Sequence, residues 1–97
     1  MKDRFLPYEF FKALGDPTRL SIIQLLHAKQ SLCVCDIIDT LKQPQSTVSR
    51  HLNQLKTIGI LTSERKGTWM WYAINADLAD WCQAVITALP AFNAEAA

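Results

Sequence analysis

The strongest constraint on how this chain can fold is a pair of helical patterns separated only by a very short connector. From about Cys33 to Leu41, the residues Val34, Ile37, Ile38 and Leu41 recur at helical spacing. Gln43-Pro44 makes a turn, and a further helix runs from about Gln45 to Thr57. Two helices joined by so short a turn form a helix-turn-helix. In the later helix Val48, Leu52 and Leu55 share one face. At about 100° per residue, Ser46, Arg50 and Asn53 fall on the opposite face, which is polar and short-chained near its start. Small hydroxyls and an arginine suit base edges and phosphates in a major groove, where recognition helices insert their N-terminal residues.

The segments on either side complete a small domain. Phe10, Phe11 and Leu14 mark a first helix over Tyr8 to Leu14, ended by Gly15. Asp16 is a good N-cap for a second, Pro17 suits its first position, and Leu20, Ile22, Ile23 and Leu26 form its apolar stripe before Lys29-Gln30-Ser31 closes it. After Gly59 the period falls to two. Ile60 to Arg65, a Lys66-Gly67 turn and Thr68 to Ile74 read as a β-hairpin, with Met70, Tyr72 and Ile74 toward the helices and Trp69 and Trp71 away from them. Leu78, Trp81, Cys82, Val85, Ile86 and Leu89 then give a last helix, whose apolar stripe is expected to pack on the first helix, another subunit, or both.

The expected fold is therefore mainly α with a β-hairpin wing: a winged helix-turn-helix of about five helices, one domain over residues 1–97, with the Ala-rich stretch 91–97 fraying. A core built from 97 residues is marginal, which favours a homodimer. Hydrophobic residues make up 49% and charged residues 20%, which excludes a disordered chain. No apolar run approaches the roughly 18 residues of a membrane span. Met1-Lys2-Asp3-Arg4 leads into a polar and aromatic segment unlike a secretory signal, so the expected location is cytoplasmic. In a reducing compartment, three cysteines argue against a disulfide framework and leave metal binding, redox sensing or burial.

Net charge is only +1, but its distribution is uneven. Lys42, Arg50, Lys56, Arg65 and Lys66 face the single acid Glu64 within one stretch, the pattern expected of a phosphate-binding surface. Gln45, Ser46, Thr47, Ser49, Arg50, His51 and Asn53, with Arg65 and Lys66 of the hairpin, form the candidate DNA-contacting set. Just before this region, Cys33 and Cys35 stand one residue apart at the start of the shorter helix. Thiolates select soft ions, and a helix N-terminus favours the thiolate form. Residues two apart on a regular helix nevertheless point about 200° apart, so this pair is expected to meet on one ion only if the helix start distorts.

Taken together, Phe11-Lys12-Ala13-Leu14-Gly15-Asp16-Pro17-Thr18-Arg19-Leu20, Leu32-Cys33-Val34-Cys35-Asp36, Ser49-Arg50-His51-Leu52, Gly59-Ile60-Leu61, Arg65-Lys66-Gly67 and Tyr72 resemble the ArsR/SmtB family of winged-helix repressors. The likeness runs from roughly residue 8 to residue 80, and the Leu-Cys-Val-Cys-Asp string is similar to the inducer site of arsenical-resistance repressors. The resemblance implies a homodimer, joined through its first and last helices, on an inverted-repeat operator. It also implies release when a thiophilic ion, trivalent arsenic or antimony, binds Cys33 and Cys35, with no permanent cofactor, no membrane and no enzymatic activity. Cadmium and lead sensors carry a similar string, and a repressor of the same fold that senses oxidation through Cys33 and Cys35 is an alternative.

Where such repressors often place a third cysteine, this chain has Ile38, leaving water, a small thiol or Cys82 as the third ligand. Cys82 lies in an apolar stripe and reads first as a core residue. The cysteines that cadmium and lead sensors of the family add before this position are missing, and Asp77 and Asp80 lack the neighbouring histidine of zinc sensors. Both departures favour arsenic or antimony. His27 reads as a favourable charge at a helix end, His51 as a packing residue or phosphate contact, and Asp36 as a carboxylate at a helix start. The sequence offers no nucleotide-binding Gly loop or cysteine-base-orienter set for catalysis, and an architectural DNA-binding protein without an inducer would show no thiol-dependent affinity.

Overall fold

The computed structural model describes residues 6–93. Helix α1 (Pro7–Leu14) begins on Pro7, and the Glu9 carboxylate accepts the Leu6 N–H at 3.2 Å. Asp16 caps α2 (Pro17–Lys29) by accepting the N–H groups of Thr18 and Arg19, each at 3.0 Å. The Arg19 N–H bond is the main reason that the Asp16 carboxyl is held below the ordinary aspartate range; the nearby His51 and Arg19 side chains act in the same direction. Arg19 Nε donates to the Ala13 carbonyl at 2.7 Å, fastening the end of α1 to the start of α2. Ile22, Ile23, Leu25 and Leu26 of α2 are all buried, and the helix packs against α1 and every other layer of the fold. That is why its apolar residues spread beyond a single stripe.

Gln30 ends α2 at φ 76°, and the next three residues form strand β1 (Ser31–Cys33). Nothing in the residue pattern announces this strand: it is too short to show a period, and its partner lies far along the chain. Helix α3 (Val34–Leu41) follows at once and ends on Lys42 in the left-handed region, φ 55° and ψ 42°. After the turn, α4 (Gln45–Thr57) starts from Pro44, at the boundaries read from its pattern. Thr18 Oγ1 donates to Gln43 Oε1 at 3.1 Å, so the turn is anchored to the start of α2.

Strands β2 (Leu61–Lys66) and β3 (Trp69–Ile74) form the hairpin. Lys66 is not in the turn but is the last paired residue of β2, opposite Trp69. The turn is Gly67-Thr68, and Gly67 takes φ +64°, which a two-residue hairpin loop demands of its first residue. The sheet order is β1-β3-β2, all antiparallel. Leu61, Leu32, Tyr72 and Ile74 lie on the face that packs on the helical core. Thr62, Glu64, Lys66, Trp69, Trp71 and Cys33 rise from the other.

Helix α5 (Asp80–Ala88) is shorter than its apolar pattern, because Leu78 is buried ahead of the helix and Leu89 follows it in extended backbone. Phe10 and Trp81 meet edge to face at 5.1 Å between ring centroids, with Phe11 beside them at 5.7 Å and 6.2 Å. Phe11 remains more than half exposed on this side of the molecule; Leu6 and Tyr8 are also more than half exposed, Tyr8 along the groove between α1 and α4. Of the Ala-rich stretch, residues 91–93 lack regular structure, and 94–97 lie outside the described residues.

Candidate functional site

Cys33 and Cys35 are brought together by the junction of β1 and α3. Cys33 sits in extended backbone at the N-cap, φ −67° and ψ 148°, and its sulfur accepts the Cys35 N–H at 3.4 Å. The two Sγ atoms are 2.6 Å apart, and both residues are free thiols. This corrects the expectation that the helix start must distort before they can meet. The 200° divergence applies to two residues on one helix, and only Cys35 is on the helix. Cys33 is 3% exposed, whereas Cys35 opens to solvent. The Cys33 sulfur beside it raises the Cys35 thiol above the ordinary range, with desolvation and the charge of Asp36 adding to the effect. An ion that binds both must therefore displace a proton.

Among the described residues, no group of three His, Cys, Asp or Glu side chains is placed to hold a metal ion. Cys82 is fully buried within the central cluster, on α5. Ile38, at the position of the missing cysteine, is half-buried against that same cluster. Asp36 is exposed in the first turn of α3, and His27 is exposed in the last turn of α2.

The opposite end of the helix-turn-helix presents the polar set. Gln45, Ser46, Ser49, Arg50 and Asn53 are exposed along α4, with Thr47 half-buried, and Arg65 and Lys66 are exposed at the end of β2. His51 does not share this surface. It is 7% exposed and turns inward, with Nδ1 at 3.4 Å from an Arg19 guanidinium nitrogen and Nε2 at 3.8 Å from the Asp16 carboxylate. Its position three residues after Val48 and four before Leu55 was the signal for the inner face. Arg19 also donates to Gln54 Oε1 at 3.2 Å, so a network from Asp16 to Gln54 fixes α4 on α2, and the sequence reading had not singled out Arg19 or Gln54. The residue pattern places Trp71 on the outer face but gives it no role there; its ring lies 4.9 Å from Lys66 Nζ.

Residues 16–63, which carry the thiol pair and the helix-turn-helix, match the family described as bacterial regulatory protein, arsR family. The arsenical resistance operon repressor of Escherichia coli is 40% identical over 81 residues, 84% of this chain and 69% of that protein. The chain belongs to the ArsR family. An uncharacterised helix-turn-helix transcriptional regulator of Methanocaldococcus jannaschii is 56% identical over 69 residues, 71% of this chain and 78% of its own length. The crystal structure of the transcriptional repressor PagR of Bacillus anthracis superposes with a TM-score of 0.73 at 34% identity, covering 87% of this chain and 92% of that one. ArsR-family proteins are DNA-binding transcription regulators rather than enzymes, and the winged helix-turn-helix described above is their fold.

Proposed function

We propose that this ArsR-family protein is a homodimeric repressor of an inverted-repeat operator, released when trivalent arsenic or antimony bridges Cys33 and Cys35. The observation that carries the reading is the pair of sulfurs 2.6 Å apart at the start of α3, the helix that leads through one short turn into α4. A bridging ion ties a residue at the end of β1 to one on α3, and so resets the placement of α3 against the sheet. Because α3 packs on α4, the shift misplaces Arg50 and its neighbours. Ion binding and DNA binding then oppose each other, and the coupling is reciprocal. The third position on the ion falls to water or a small thiol, since Cys82 is committed to the core.

In this reading α4 enters the major groove with Ser46, Ser49, Arg50 and Asn53, while Arg65 and Lys66 bring the wing to the backbone. His51 supports α4 from behind. The exposed Phe11 with Trp81 supplies the apolar face on which a second subunit packs, joining the first and last helices. The protein works in the cytoplasm, where its thiols stay reduced. The proximity of the sulfurs also supports a second reading, release by thiol oxidation.

The deciding experiment is an operator-release titration of the reduced protein against arsenite, antimonite, cadmium, lead and zinc, with a peroxide arm. Arsenite or antimonite should act at the lowest concentration. Release by peroxide with indifference to every ion would replace the ion sensor with a redox sensor, and release by cadmium or lead alone would change the inducer.

A further inference from the structure

Cys33 is almost fully buried, yet it is not part of the central core cluster, and it rises from the sheet face turned away from the helices. Cys35 at the head of α3 covers its sulfur on one side. Directly opposite Cys33 in the antiparallel register stands Trp71 of β3, half-buried on the same face. Directly opposed residues place their Cβ atoms about 4.5–5.5 Å apart, close enough for an indole to lie over a cysteine. Trp71 also faces Glu64 of β2, and Lys66 sits diagonally across from it. A diagonal pair is within reach of long side chains, and Lys66 Nζ takes up a cation–π position 4.9 Å from the centre of the Trp71 ring. One side chain therefore spans the distance between the buried thiol and the basic end of the wing.

We infer that Trp71 is a positioning residue that covers Cys33 and holds Lys66 for DNA, and that it carries the state of the thiol site to the wing. The inference rests on the inducer reading above but adds a route that does not pass through α4. An ion held by both sulfurs resets the position of Cys33, and the cross-strand neighbour that meets this change on the outer face is Trp71. Displacement of the ring takes away the surface on which Lys66 rests. The ammonium is then no longer held toward a backbone phosphate, while the strands of the wing stay paired.

The test uses the full chain with Trp71→Leu, Trp71→Phe and Lys66→Ala. Trp71→Leu should raise the alkylation rate of Cys33, measured in a Cys35→Ser background, at least about tenfold, and Trp71→Phe should restore most of the protection. On operator DNA, Trp71→Leu should reduce the salt slope by as much as Lys66→Ala, about one unit for each phosphate that a subunit no longer neutralises. The double variant Trp71→Leu/Lys66→Ala should be no weaker than the weaker single variant. Arsenite should still bind Trp71→Leu, read by the absorption of arsenic–thiolate bonds, while weakening its DNA binding several-fold less than in the wild type. Additive losses in the double variant, or unchanged alkylation and release in Trp71→Leu, would overturn the assignment. If the wild type binds arsenite without releasing DNA, both the inducer reading and this coupling fail, and the alkylation and salt arms separately decide whether Trp71 covers Cys33 and holds Lys66.

Discussion

Asp16 shows how much of the architecture rests on single residues. Its carboxylate caps α2 and faces the Arg19–His51–Gln54 network that seats α4, so a change there reaches the recognition helix without touching its surface. Asp16→Ala should lower stability by about 1 kcal/mol in urea unfolding at neutral pH. Asp16→Asn keeps a capping oxygen and should cost less. The folded carboxyl has a pKa below its ordinary value of 3.8. Its contribution is thus fully present above that value and is lost as pH falls through the lower, folded one. The wild-type acid limb should be steeper than that of Asp16→Asn, and identical limbs would show that the cap carries no linked proton. At this scale the sequence was informative for Asp16, Pro17 and the outer face of α4, each a local pattern. Cys33 and His51 were harder, because their placement is decided by what packs against them from distant segments.

Elements that follow a local period were legible. The limits of α4, the pairing of β2 with β3 and the apolar pattern of α5 all follow from spacing. Strand β1 was not, since three residues carry no period and the open edge of β3 that recruits them lies far along the chain. The hairpin turn shifted by one residue because Gly67, rather than Lys66, meets the positive-φ requirement. That shift matters for the wing, because it puts Lys66 on a strand with a defined face instead of in a loose tip. The two basic elements should then behave differently toward DNA. Arg50→Ala on α4 should weaken operator binding and narrow the gap between operator and scrambled duplexes. Lys66→Ala should weaken both duplexes alike and flatten the salt dependence. Equal losses and equal salt slopes for the two variants would remove the distinction between readout by α4 and anchoring by the wing.

Across the whole molecule, three surfaces are tied to one small core: an apolar face at α1 and α5, a polar face along α4 and the wing, and the thiol junction beside the sheet. The first face should mediate self-association. Phe11, 51% exposed and packed beside Trp81, is the position at which a charge should interfere most. Phe11→Glu should shift sedimentation from dimer to monomer and cut operator affinity at least about tenfold, whereas a monomeric wild type would remove the two-fold operator from the account. The central claim is that an ion held by Cys33 and Cys35 opposes DNA binding. Its most direct measurement is operator affinity with and without arsenite for the wild type, Cys33→Ser/Cys35→Ser and Cys82→Ala. Arsenite should release the wild type and Cys82→Ala, while the double serine variant should bind DNA within about twofold of the wild type and stay bound, a change well under 1 kcal/mol. Release of the double serine variant at the wild-type arsenite concentration would contradict the claim.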